Sequence, residues 1–186
     1  MLILPKPYAA YQYVTDTDWS NIFTAWQNDE EPQIGWQKHW QAHGFTSWQA
    51  WRQAYITPIR PETLNWSVYN VPCPTQNILN LYAVPARSWI DTVYPKGKIT
   101  QRISTLCHHP MVMTNTKIAD IRRHFPSETL LVGLICHQKI ILIEGQHRSL
   151  ALATWNPETP FTRQVQIALT NWAHDLPVLG GNYNNT

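Results

Sequence analysis

Charge is scarce in this chain. Asp, Glu, Lys and Arg together make 14% of its 186 residues, against about a quarter in an average globular protein, and the net charge is only +2. A broad basic face for duplex DNA needs many clustered lysines and arginines, so duplex DNA is not an expected partner. Long apolar runs are missing as well. The opening MLILPKPYAAYQY is broken at Pro5 and Pro7, too short for a signal peptide, and no stretch reaches membrane-spanning length, so no membrane partner is expected. Cysteine is sparse: three residues, an odd number without a framework, argue against a disulfide scaffold and for a reducing, cytoplasmic setting. No internal repeat or long low-complexity tract is present. At this length the chain can bury a real core, and one domain with an appendage is the natural expectation.

Aromatic residues are abundant instead, with 10 tryptophans and 8 tyrosines. Most of the tryptophans precede Thr57-Pro58-Ile59-Arg60-Pro61-Glu62, which reads as a linker or turn between two differently composed parts. Upstream the pattern is helical. Asp18 is a candidate N-cap for a helix over 19–27 that places Trp19, Ile22, Phe23 and Trp26 on one face. Trp36 and Trp40 recur at i,i+4, and Trp48, Trp51 and Tyr55 at i,i+3,i+7, a spacing that reads first as core. A stacking platform for bases, sugars or a partner helix is the alternative, but Lys38, Arg52 and Gln49 are too few to make a basic groove.

Downstream, Leu64 to Val71 reads as a strand, Leu79 to Val84 as another, and Ser88 to Val93 as a short helix. Thr116 to Phe125 has helical spacing at Ile118 and Ile121 and stops before Pro126. Leu130 to Cys136 is an apolar strand that His137-Gln138 would turn into a second, Lys139 to Ile143. Arg163 to Thr170 alternates Val165, Ile167 and Leu169 on one face. The partition expected is 1–60 as a Trp-rich helical extension, 63–178 as an α+β domain with a small mixed sheet, and 179–186 as a frayed tail.

The segment richest in chemistry is Glu144-Gly145-Gln146-His147-Arg148, where an apolar strand breaks at a glycine and restarts as a helix through Ser149 to Ala153. Glycine lets the backbone turn sharply, and the next N–H groups are the unsatisfied donors of a helix N-terminus, which attracts anions. A guanidinium that matches phosphate oxygens and an imidazole beside it complete a phosphate cradle. The bland reading is that His147 and Arg148 cap the helix and pair with a carboxylate such as Glu144.

Strand, acidic residue, Gly145, x, His147, Arg148, helix resembles the signature of the ParB/sulfiredoxin superfamily, and the flanking order over about residues 110–170 agrees with it. The resemblance implies a Gly-x-[His/Arg]-Arg turn that holds nucleotide phosphates, so that Gly145, Gln146, His147, Arg148 and Ser149 would bind a nucleoside triphosphate, ATP or CTP, with Mg²⁺. Departures narrow the activity. Sulfiredoxins carry their catalytic cysteine where this chain has Gln146, and an amide cannot attack a phosphoryl group as a thiolate can. ParB proteins show two adjacent arginines, whereas Ser149 follows Arg148 here and no helix-turn-helix follows. The acidic-Gly-x-His-Arg frame is closest to the superfamily's small-molecule kinases. By that likeness Glu144 would be a base or metal-organising carboxylate, His147 a catalytic or phosphate-holding imidazole, and Asp120 or Glu128 a second carboxylate.

A zinc site from Cys107-His108-His109, Cys136-His137 and His147 has poor ligand spacing. Buried thiols with histidines at turn surfaces are the plainer expectation. Two function classes remain: a nucleotide- or phosphate-binding protein, as a phosphotransferase or nucleotide hydrolase, and a non-catalytic module whose Trp-rich helices bind a protein partner.

Overall fold

The computed structural model describes residues 2–181. Its strands are β1 (Gln12–Thr17), β2 (Trp66–Asn70), β3 (Glu128–Cys136), β4 (Lys139–Glu144) and β5 (Gln164–Asn171), joined in one mixed sheet of order β1-β2-β5-β3-β4. Only β3 and β5 run parallel; the other neighbours are antiparallel. The helices, in chain order, are α1 (Trp19–Glu30), α2 (Ile34–Ala42), α3 (Trp48–Ile56), α4 (Pro74–Asn77), α5 (Arg87–Thr92), α6 (Ile103–Leu106), α7 (Pro110–Met113), α8 (Thr116–Arg123) and α9 (Gln146–Ala153). The architecture is mixed α and β. Among the described residues no helix is long and apolar enough to cross a membrane.

Local chemistry sets several of the element ends. The carboxylate of Asp18 accepts from Asn21 N at 2.9 Å, Ser47 Oγ from Ala50 N at 3.1 Å, and Asn115 Oδ1 from Ile118 N at 3.1 Å, satisfying first-turn donors of α1, α3 and α8. Between β3 and β4, His137 and Gln138 have φ of 47° and 64°, the paired left-handed conformation of a two-residue hairpin turn. Aliphatic side chains of β3, β4, β5 and α9, including Leu131, Leu134, Leu142, Leu150, Ile167 and Leu169, are fully buried and fill the centre.

Three expectations need correction. The first sixty residues are not purely helical: β1 lies there and pairs with β2 along the open edge of the sheet. Its side chains are almost all exposed, so no alternating burial marked it as a strand. Leu79 to Val84 is no strand. A 3₁₀ turn over Ile78–Asn80 leads to Tyr82, which bridges β4: its N–H donates to Ile140 O at 2.9 Å and its carbonyl accepts from Leu142 N at 2.8 Å. Its neighbours bond elsewhere: Ala83 N donates to Gln101 O and Ile103 N to Leu81 O, so the run is shared between two partners and propagates along neither. Finally, the expected tail begins too early. Leu179 is fully buried and exchanges backbone bonds with Pro85 and Arg87, while residues 182–186 of that segment lie outside the described residues.

The Thr57–Glu62 turn is tight, with Ile59 and Pro61 buried and Trp66 Nε1 donating to Pro61 O at 2.9 Å. One hydrophobic cluster runs across it. Trp19 lies 5.6 Å from Trp66 of β2, and Tyr55 of α3 donates to Ile143 O of β4 at 3.4 Å. That contact carries the Trp-rich helices to the end of β4, beside the glycine turn.

Candidate functional site

Glu144 ends β4 and Gly145 opens α9 with φ of 92°, which side chains rarely adopt. Space is equally demanding there: a Cβ on Gly145 would lie 2.4 Å from Leu131 Cδ2. The glycine is therefore required by packing as well as by the turn. Ser149 N donates to Gly145 O at 2.8 Å, the first bond of α9, so the N–H groups of Gln146, His147 and Arg148 precede the helical ladder. The turn lines a cleft of about 850 Å³ that also takes in Trp36 of α2, Arg52 of α3, Trp89 of α5 and Lys117 of α8.

Side chains of the turn have distinct fates. Arg148 is 8% exposed and doubly paired, through Nη2 to Glu144 Oε2 at 2.5 Å and through Nη1 to Asp29 Oδ2 at 2.9 Å. Burial works against its charge, but Glu144, Asp29 and Glu30 outweigh it and push its pKa up. Gln146 turns its Oε1 to Val84 N at 2.7 Å, with the Tyr94 hydroxyl 3.3 Å away, while its Nε2 is buried without a partner. Ser149 is fully buried and its Oγ also lacks a partner, so the hydroxyl faces protein interior. His147 is half-buried with rings of Trp89 and Trp36 at 5.8 and 6.4 Å, and burial pushes its imidazole down to about 3, helped by the Lys117, Arg52 and Arg148 cations. At neutral pH it is an uncharged ring.

Glu144 is buried, and that burial pushes its carboxyl up to about 7; Arg148 pulls the other way, while Glu30 and Asp29 add to the rise. A carboxyl titrating near neutrality can take and return a proton. It is a poor open metal ligand, because its oxygen is engaged by Arg148. Asp29 shares the same guanidinium, and Glu30 holds Arg52 through bonds of 2.7 and 2.6 Å. No group of three or more metal-binding side chains occurs among the described residues. Cys107 and Cys136 are buried, with His108 and His137 exposed.

The second carboxylates are not those expected. Asp120 forms an exposed pair with Arg123 and Glu128 is exposed at the start of β3; neither lines the cleft. Asp29 and Glu30, at the end of α1, take that place. A sequence signal for them existed: the macrodipole disfavours acids in a last helical turn, so Asp29 and Glu30 there call for outside cations. Those cations are Arg148 and Arg52, the latter also boxed by Trp51, Trp26 and Trp36 with ring centroids 3.7, 4.7 and 5.0 Å from its guanidinium carbon. Trp26, Trp48 and Trp51 are buried, as the core reading of their spacing expects and against the stacking-platform alternative. Lys117 was also missed. Its ammonium sits 3.5 Å from the Trp36 ring centroid, and it forms no hydrogen bond or ion pair among the described residues.

Comparison with protein-family models, curated proteins and solved structures finds no match for this chain.

Proposed function

We propose that the cleft above the Gly145 turn binds a phosphorylated small molecule, with a nucleotide (ATP or CTP) as the best fit. One observation carries the reading: the first-turn N–H groups of Gln146, His147 and Arg148 and the Lys117 ammonium, none of which has a hydrogen-bond or ion-pair partner among the described residues, belong to residues that line one cleft with the Trp36 and Trp89 rings. Phosphate oxygens would meet the backbone donors and Lys117. A planar base would lie on the aromatic wall. The resemblance of the Glu144-Gly145-Gln146-His147-Arg148 frame to the ParB/sulfiredoxin signature supports the same reading.

Arg148 enters differently from the simple cradle. Its Nη1 is held by Asp29, whose side chain is 38% exposed, so an incoming phosphate would compete with that carboxylate. If the chain is a phosphotransferase or nucleotide hydrolase, Glu144 is its proton acceptor and His147 a neutral hydrogen-bond donor to a phosphate oxygen. Mg²⁺ would arrive on the nucleotide phosphates, because the cleft's carboxylates are all tied to guanidinium groups.

Titration calorimetry of ATP and CTP, each with and without Mg²⁺, tests the reading on the wild type and on Lys117→Met. The expected result is saturable binding that weakens about ten-fold or more in the variant, the loss of one charged contact. No heat with either nucleotide, or equal affinities in the two proteins, overturns it.

A further inference from the structure

Lys117 has surroundings that a phosphate-holding lysine does not need. It occupies the first turn of α8, where the helix dipole is positive. Its ammonium rests on the Trp36 ring inside the cleft, without a carboxylate in contact. Asp29, Glu30 and Glu144 face it at longer range, but their charge is shared with Arg52 and Arg148; Arg87, His43 and His124 also line the cleft, and His39 and His147 there are both pushed toward the neutral form. Burial lowers the Lys117 amine to about 8, with Arg52 adding to the effect and the carboxylates opposing it. The other lysines, Lys6, Lys38, Lys96, Lys98 and Lys139, are all exposed.

We propose that Lys117 is a nucleophilic amine that forms an imine with an aldehyde or ketone carrying an anionic group, the anion lying at the Gln146–Arg148 N–H groups. The anionic anchor rests on the phosphate-binding reading; the amine chemistry does not. In the reaction the Nζ lone pair attacks the carbonyl carbon, the π electrons pass to oxygen, and proton transfer from nitrogen to oxygen gives a carbinolamine. Loss of that oxygen as water leaves the C=N bond, so carbonyl plus amine become imine plus one water. Glu144, in the same cleft, takes the ammonium-side proton and returns it to the departing hydroxyl.

The test is trapping on the intact wild-type chain with pyridoxal 5′-phosphate and, separately, pyridoxal, each reduced with borohydride and mapped by peptide mass spectrometry from pH 6 to 11. Lys117 is expected to label about ten-fold faster than any exposed lysine at pH 7.5, with its rate rising through pH 8, and faster with the phosphorylated aldehyde. Labelling of Lys117 no faster than Lys38, Lys96 or Lys98 overturns the amine. Pyridoxal's internal hemiacetal slows it toward every amine, so a phosphorylated-to-free rate ratio at Lys117 no larger than at the exposed lysines overturns the anionic anchor. Fast Lys117 labelling in a protein that shows no nucleotide heat supports the amine and sinks only the nucleotide reading.

Discussion

Arg52 and Arg148 are two buried guanidinium groups, with side chains 8% and 9% exposed, and both face carboxylates. What surrounds them differs. Arg52 meets both oxygens of Glu30 and lies among tryptophan rings, and Trp48 Nε1 adds a third bond to Glu30 at 3.1 Å. Both carboxylate oxygens of Glu30 are answered by protein donors, so the pair holds α1 to α3. Arg148, in the same cleft, divides its donors between buried Glu144 and Asp29, whose side chain is 38% exposed against 7% for Glu30. One of its partners can be replaced from solvent. Identical chemistry thus makes a fully enclosed pair in one place and a pair with a solvent-reachable carboxylate in the other, and access to solvent makes the difference.

Arg52→Ala is expected to have the largest effect, about 3–5 kcal/mol in urea denaturation, because Glu30 is left buried and unpaired inside an emptied aromatic box. Arg148→Ala should cost less, about 2–3 kcal/mol at pH 8. Its loss is expected to shrink further at pH 6, where Glu144, raised to about 7, is protonated and no longer needs a cation. A pH-independent loss equal to that of Arg52→Ala would erase the distinction between the two sites. Gly145→Ala acts only on the second site, through a left-handed φ and the Leu131 contact, and should cost about 2 kcal/mol by thermal denaturation. Asp29→Asn should change stability by less than about 1 kcal/mol, since its partner retains Glu144. It should nonetheless tighten ATP binding in calorimetry, by freeing Arg148 Nη1. Weaker binding would show that Asp29 positions the arginine rather than competing for it. Around neutrality the smallest effect belongs to His147. Its folded-state value near 3 lies below the ordinary 6.5, so its contribution is complete above pH 6.5 and is lost as pH falls toward 3. His147→Phe should flatten that acid limb of melting temperature against pH.

Much of the C-terminal half was readable in advance because its signals are local. Alternation in Val165, Ile167 and Leu169, the apolar run before Glu144, and the Pro126 stop each act within a few residues, and β3, β4, α8, α9 and β5 appear where they point. The Asp18 cap and the Trp-bearing helices were legible for the same reason. β1 was not, because an exposed edge strand takes its order from pairing with β2 rather than from its own pattern of burial. In the cleft, the glycine turn was visible as a sequence motif, while Asp29, Glu30 and Lys117 lie far from it in the chain and announced no shared task.

Sequence alone determined where the chain turns and which residues meet within one strand-turn-helix unit: Glu144 and Arg148 are four apart across Gly145, and that spacing already makes them partners. Tertiary structure alone decided what charge those groups carry and which contacts remain open. Burial raises Glu144, neutralises His147 and lowers Lys117, and it brings Asp29 of α1 to Arg148. A protonation state depends on the dielectric and the charges within a few ångströms, and those neighbours come from α1, α3 and α8, segments that only folding gathers around the turn.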